Sequence, residues 1–145
     1  MKLKKLFVTL FIIGILVGFT HAQELGVRFG DIVGNNVAVD AVFGSHGYRV
    51  HADVSFGKGG VGVETLFDLV VRPMSGEAFS FYMGVGAFGW FGDPFRLGVS
   101  SEVGIEYRFN TIPIVLGIDW RPSLRLIDET KFIADRFGFN VRFVF

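Results

Sequence analysis

The 145-residue chain contains no cysteine. That excludes disulfide-stapled scaffolds, cysteine-based zinc motifs and a lipid anchor on a leader-adjacent cysteine. No run between Gln23 and Phe145 approaches the about 20 apolar residues that a membrane-spanning helix needs. Net charge is absent as well, with 14 basic residues against 14 acidic ones. No basic patch suggests a nucleic-acid partner.

The apolar content is concentrated instead in two patterns. The first is an N-terminal leader, in which Lys2, Lys4 and Lys5 precede the apolar run Leu6 to Phe19 and the small-residue site Thr20-His21-Ala22. This is the pattern of a cleavable signal peptide over 1–22, too short for a spanning helix. It leaves one domain over 23–145 with 11 basic and 14 acidic residues.

The second pattern is alternation. From Asp135 to the end, Phe137, Phe139, Val141, Phe143 and Phe145 fall on one face, and Arg136, Gly138, Asn140, Arg142 and Val144 on the other. A period of two marks a β-strand with one greasy face and one polar face. The 20 glycines and 18 phenylalanines suit curved sheets better than helices. Alternating segments at about 25–30, 36–43, 48–56, 61–71, 79–91, 97–109, 112–125 and 136–145 predict eight strands. High hydrophobicity without a helical span points to a β membrane structure, so the expected fold is all-β, an eight-stranded antiparallel up-and-down transmembrane barrel.

Sorting the two phases places no charge on the outward face, which carries Val37, Val50, Val63, Val71, Val103, Ile105, Ile118 and Trp120 among others. Aromatics on that face, Phe43, Tyr48, Phe79, Phe81, Tyr107 and Phe109, gather beside three connections, with Phe143 and Phe145 at the chain end. In an up-and-down barrel these positions share one rim and form an interfacial girdle. The inward phase collects Arg28, Arg49, Arg108, Arg121, Arg125, Arg136 and Arg142 against Asp40, Asp53, Glu64, Asp68, Glu102, Glu106 and Asp119. Eight strands leave a lumen that side chains can fill. This balanced set is expected to form a self-neutralising plug, with Arg142 pairing to Asp40 or Glu64.

The whole of 23–145 resembles the small eight-stranded outer-membrane barrels of the OmpA/OmpX type. It is also similar to short-loop barrels of Gram-negative bacteria without an assigned activity, through Ile112-Pro113, Asp119-Trp120-Arg121-Pro122 and Asn140-Val141-Arg142-Phe143. The aromatic-terminated strand resembles the closing strand that the outer-membrane insertion machinery reads, with Val141, Phe143 and Phe145 as the assembly signal. The resemblance implies outer-membrane localisation after export, contact with outer-membrane lipids, and no cofactor. A monomer is expected. The expected outer loops of about four to nine residues do not suit an adhesin.

Three local matches carry little weight. Gly84-Val-Gly86-Ala-Phe-Gly89 fits a dinucleotide fingerprint in letters but lies inside a strand rather than at a helix start. His51, Asp53 and Ser55 share a strand face, yet residues two apart stand about 6.6–6.8 Å from each other. Lumenal hydrogen bonding is the expectation there. Tyr82, Phe88 and Trp90 fall on the inward phase, explained by lumen filling or by a bulge returning Trp90 to lipid. A lipid-accepting pocket is the alternative. The functional expectation is a small non-catalytic outer-membrane barrel in a structural or interaction role. Its rival is a lipid- or ligand-handling barrel, either an outer-membrane enzyme or a soluble lipocalin-like carrier.

Overall fold

The computed structural model describes residues 23–45, 48–74, 76 and 78–145, without the side chains of Ser45 and Tyr48. Residues 1–22, where a signal peptide is expected, and His46 lie outside the described residues. Ten strands run in chain order: β1 (Glu24–Ile32), β2 (Asn35–Ser45), β3 (Tyr48–Gly57), β4 (Gly60–Pro73), β5 (Phe79–Gly92), β6 (Arg96–Arg108), β7 (Ile114–Trp120), β8 (Ser123–Ile127), β9 (Lys131–Ile133) and β10 (Phe137–Val144).

These ten strands make eight staves. β6 pairs with β7 through Val103–Arg108 and with β8 through Leu97–Ser100, so β7 and β8 are one stave interrupted at Arg121-Pro122. β9 pairs with β8 while β10 pairs with β7, so the last stave is interrupted in the same way at 134–136. The two breaks face each other, and the Arg121 amide donates to the Arg136 carbonyl at 2.8 Å. Every neighbouring pair is antiparallel, β1 pairs with β10, and β5 pairs with β6, which closes the sheet. The fold is an eight-stranded closed antiparallel barrel.

Alternation along each strand dictates the two faces. Along β4, Glu64, Leu66 and Asp68 are buried while Thr65, Phe67 and Leu69 are exposed. One local departure from the expected phase occurs here. The β4–β5 register shifts between Asp68 and Val70, so Val71 stands opposite Tyr82 on the inner face, not on the outer one, and Arg72 stands opposite Phe81. A bulge adds one residue, and one residue reverses the phase beyond it.

The connections at the end away from the termini are shorter than the four to nine residues expected from sequence. Val33-Gly34, Lys58-Gly59, Asp93 to Phe95 and Asp128 to Thr130 suffice, because the strands continue into residues that read as loop.

Many glycines serve the interior. A Cβ on Gly104 would strike the Tyr82 ring, one on Gly98 the Phe88 ring, and one on Gly138 the Arg28 guanidinium. Large lumenal side chains therefore lie flat across neighbouring staves that present no side chain.

Candidate functional site

The barrel interior is the candidate site, and it is charged from the rim that holds the termini up to an apolar cap at the other end. Arg28, Arg49, Arg121, Arg136 and Arg142 are all buried, together with Asp40, Asp53, Glu64, Asp68, Glu102, Glu106 and Asp119. Each is carried inward by strand phase or, for Arg121 and Arg136, by a stave break that turns a guanidinium into the lumen.

At the rim that holds both termini, Arg142 donates to Glu24 Oε2 at 2.7 Å and to Glu106 Oε2 at 2.5 Å, and Arg49 reaches Glu106 Oε1 at 2.8 Å. Arg142 lies 3.6 Å from Asp40, one of its two expected partners, and its hydrogen bonds go to Glu24, Glu106 and Asn140 instead. Glu64, the other, belongs to Arg121 and Arg136.

Arg121 forms the hub at mid-height, with Nη1 2.6 Å from Asp53 and 2.9 Å from Glu64, and Nε 3.2 Å from Glu102 and 3.5 Å from Asp119. Arg28 holds Asp119 through Nη2 at 2.5 Å. Arg136 donates to Glu64 at 2.8 Å and to Ser123, while Ser100 gives Glu64 a further bond at 2.7 Å.

Two of the fourteen expected lumenal charges stand apart. The Arg108 side chain is 45% exposed at the terminal rim, where it binds Glu24. Arg125 is only part-buried and faces Asp128 at 3.9 Å near the opposite rim. Both lie toward strand ends, where the wall no longer encloses a long side chain. The interior was also missing a member in the sequence reading. Glu24 is buried, and it shares the phase of Arg28 once β1 is begun one residue earlier. Ser100, Ser123 and Asn140, all buried and hydrogen-bonded, carry no sequence signal beyond that phase.

The balance of seven against seven therefore does not hold inside. Among the described residues, five buried arginines face eight buried carboxylates, Glu24 included. Arg108 reaches in from the rim to make six.

His51 sits amid this surplus, fully buried. Its Nε2 lies 3.1 Å from Asp68 Oδ2 and 3.9 Å from Glu102 Oε1, and its Nδ1 lies 3.5 Å from Asp40 Oδ1. The Tyr82 ring stacks on the imidazole with centroids 5.6 Å apart, and Arg49 covers Tyr82 at 4.6 Å. No triad forms with Ser55, whose hydroxyl bonds to the Ile32 carbonyl and to Asn35.

The end away from the termini is capped. Val33, Phe88 and Trp90 form a buried apolar cluster across the lumen. Trp90 is thus a lumen filler, and the β4–β5 register beside it runs without a shift from Gly60 to Asp68. Next to the cap, a cavity of about 250 Å³ is lined by Asp31, Phe88, Arg96, Arg125, Lys131 and Arg136. Gly84 and Gly86 continue β5 and open no helix.

The outer face is the reverse of the inner one. Phe56, Leu69, Phe91, Ile118, Phe132 and Phe137 are among its exposed large side chains. Phe79, Tyr107 and Phe109 pack edge to face at the terminal rim, with centroids 4.9 Å apart in each pair. Phe43 is half-buried in the same region of β2, and Phe81 lines an outer apolar groove with Ile118, Trp120 and Phe137. Phe143 and Phe145 pack edge to face with centroids 5.2 Å apart and stay exposed, with Val141 half-buried beside them. Compared with family models, curated proteins and solved structures, the chain has no significant match.

Proposed function

We propose that this barrel spans a bacterial outer membrane as a small non-catalytic protein in a structural or interaction role. The observation that carries the reading is the inversion of its faces, charge buried within and large apolar side chains exposed without. Water would penalise that exterior, since soluble monomers rarely expose contiguous apolar patches beyond a few hundred Å². Lipid favours it. β4, β5 and β6, at 14, 14 and 13 residues, exceed the about 9–11 that a tilted strand uses to cross the hydrocarbon layer. Aromatic pairs at the terminal rim suit the membrane–water boundary there.

A soluble carrier would need the opposite arrangement, with an apolar cavity and a charged surface. An open pore is disfavoured by the arginine–carboxylate plug and by the Val33–Phe88–Trp90 cap. Residues 1–22 would direct export, and Val141, Phe143 and Phe145 would be read by the insertion machinery. Cell fractionation tests this directly. The protein should sediment with outer membranes and migrate faster on gels unheated than boiled, and deletion of Phe145 should strand it in the periplasm. Recovery of the intact chain as a soluble periplasmic protein would overturn the proposal.

A further inference from the structure

With His51 neutral and every carboxylate ionised, the interior is two positive charges short. Eight buried carboxylates are met by five buried arginines and by Arg108 at the rim, and Arg125 reaches only Asp128 among the described residues. Unpaired buried charge is heavily penalised, so the shortfall is made up either by protons on these groups or by a bound cation.

The shortfall has a place. Neither oxygen of Asp40 nor of Glu102 accepts a hydrogen bond, although Arg142 and Arg121 lie 3.6 and 3.2 Å away. Asp68 Oδ1 and His51 Nδ1 are unpartnered too. Asp68 and Glu102 face Nε2 of His51 and Asp40 faces Nδ1, and all four residues are fully buried or nearly so.

We propose that His51 Nε2, Asp68 and Glu102 bind a divalent metal ion of the zinc class inside the barrel. Their donor atoms lie within 4.8 Å of one another. Ligands held about 2.0–2.2 Å from a metal stand about 3–4 Å apart, and the observed 3.1 and 3.9 Å fall in that range. Asp68 Oδ2 also accepts a hydrogen bond from Arg49 Nε at 2.6 Å, which leaves Oδ1 unpartnered. One imidazole and two carboxylates favour zinc or a neighbouring transition metal over magnesium or calcium, which prefer all-oxygen sites.

The surroundings are those of a metal-bound histidine. Asp40 stands on the far side of the imidazole, 3.5 Å from Nδ1, where a carboxylate commonly fixes the tautomer of a ligating ring. Tyr82 fixes the plane of the ring by stacking. Gly84 lies between Asp68 and Glu102 in the strand register, and a Cβ there would stand 2.7 Å from Asp68 Oδ1. The glycine lets two carboxylates from β4 and β6 meet across β5. A dication with a neutral His51 leaves six arginines and one metal against eight carboxylates, which is neutral.

This inference rests on the barrel interior alone and stands whether or not the exterior meets lipid. The test refolds the protein from denaturant into detergent with Zn²⁺, removes loosely held metal with a chelator and gel filtration, and measures zinc by atomic emission. Wild type should retain one zinc ion per barrel. His46→Asn should retain it as well, while His51→Gln and Glu102→Gln should fall to background. Asp40→Asn, which keeps the three ligands, should weaken binding about 10- to 100-fold. If the ligand variants fail to refold, ¹⁵N spectra of a protein carrying both His21→Asn and His46→Asn decide, because zinc must then move the Nε2 resonance of His51, the one histidine left. Background zinc in wild type, retention undiminished in both ligand variants, or an unmoved His51 signal would overturn the proposal. Protons on the carboxylates would then make up the missing charge.

Discussion

Arg142 joins the ends of the wall, with Glu24 from β1 on one side and Glu106 from β6 on the other. Glu24 and Glu106 keep Arg108 and Arg49 as second partners, whereas buried Asp40 has Arg142 as its one arginine within 4 Å among the described residues. Arg142→Leu should destabilise the barrel by about 3–5 kcal/mol, the cost of stranding a buried partner rather than the worth of the pair itself. Urea unfolding of the refolded protein measures it, and an unchanged midpoint would mean that Asp40 does not need Arg142. The sequence named Arg142 as lumenal but not its tightest partners. Phase tells which face a residue takes, whereas partners depend on the stagger between staves, which one sequence does not encode.

At the scale of the element, pattern and register separate in the same way. Eight alternating segments give eight staves, and six are continuous strands close to their expected spans. The seventh and eighth are broken at Arg121-Pro122 and 134–136, where Pro122 lacks the amide that an unbroken ladder needs. The bulge beside Leu69, which reverses Val71, has no sequence mark of its own. Glycine placement is likewise a property of neighbours. Gly104 looks like an ordinary strand glycine until Tyr82 is seen lying across it from β5.

Gly104→Ala should therefore cost about 1–3 kcal/mol through overpacking, and much less once Tyr82→Ala has vacated the space. A double-mutant cycle in denaturant reads the coupling. Additive losses would mean that Gly104 matters for the backbone alone. On the outer face of the same strand, Val103→Arg should impair folding into bilayers by about 2–4 kcal/mol if the site lies near the midplane. Equal folding of the variant and wild type into phosphatidylcholine vesicles would place Val103 away from lipid.

For the whole molecule, the reading depends on which side of the wall meets what. The inward charges were legible because a period of two sorts residues without knowledge of strand order. The deficit of positive charge was not, since Arg108 and Arg125 share the inward phase and differ only in height along the wall. The barrel carries a reporter on each side. Trp90 is 6% exposed in the lumenal cap, and Trp120 is 38% exposed in the outer groove between Ile118 and Phe137. These are the only two tryptophans in the chain. The most direct measurement is fluorescence quenching by lipids brominated on their acyl chains, made on Trp90→Phe and Trp120→Phe proteins folded into vesicles. The account predicts strong quenching of Trp120 and little of Trp90. Quenching of Trp90 as strong as that of Trp120, or none of Trp120, would contradict it.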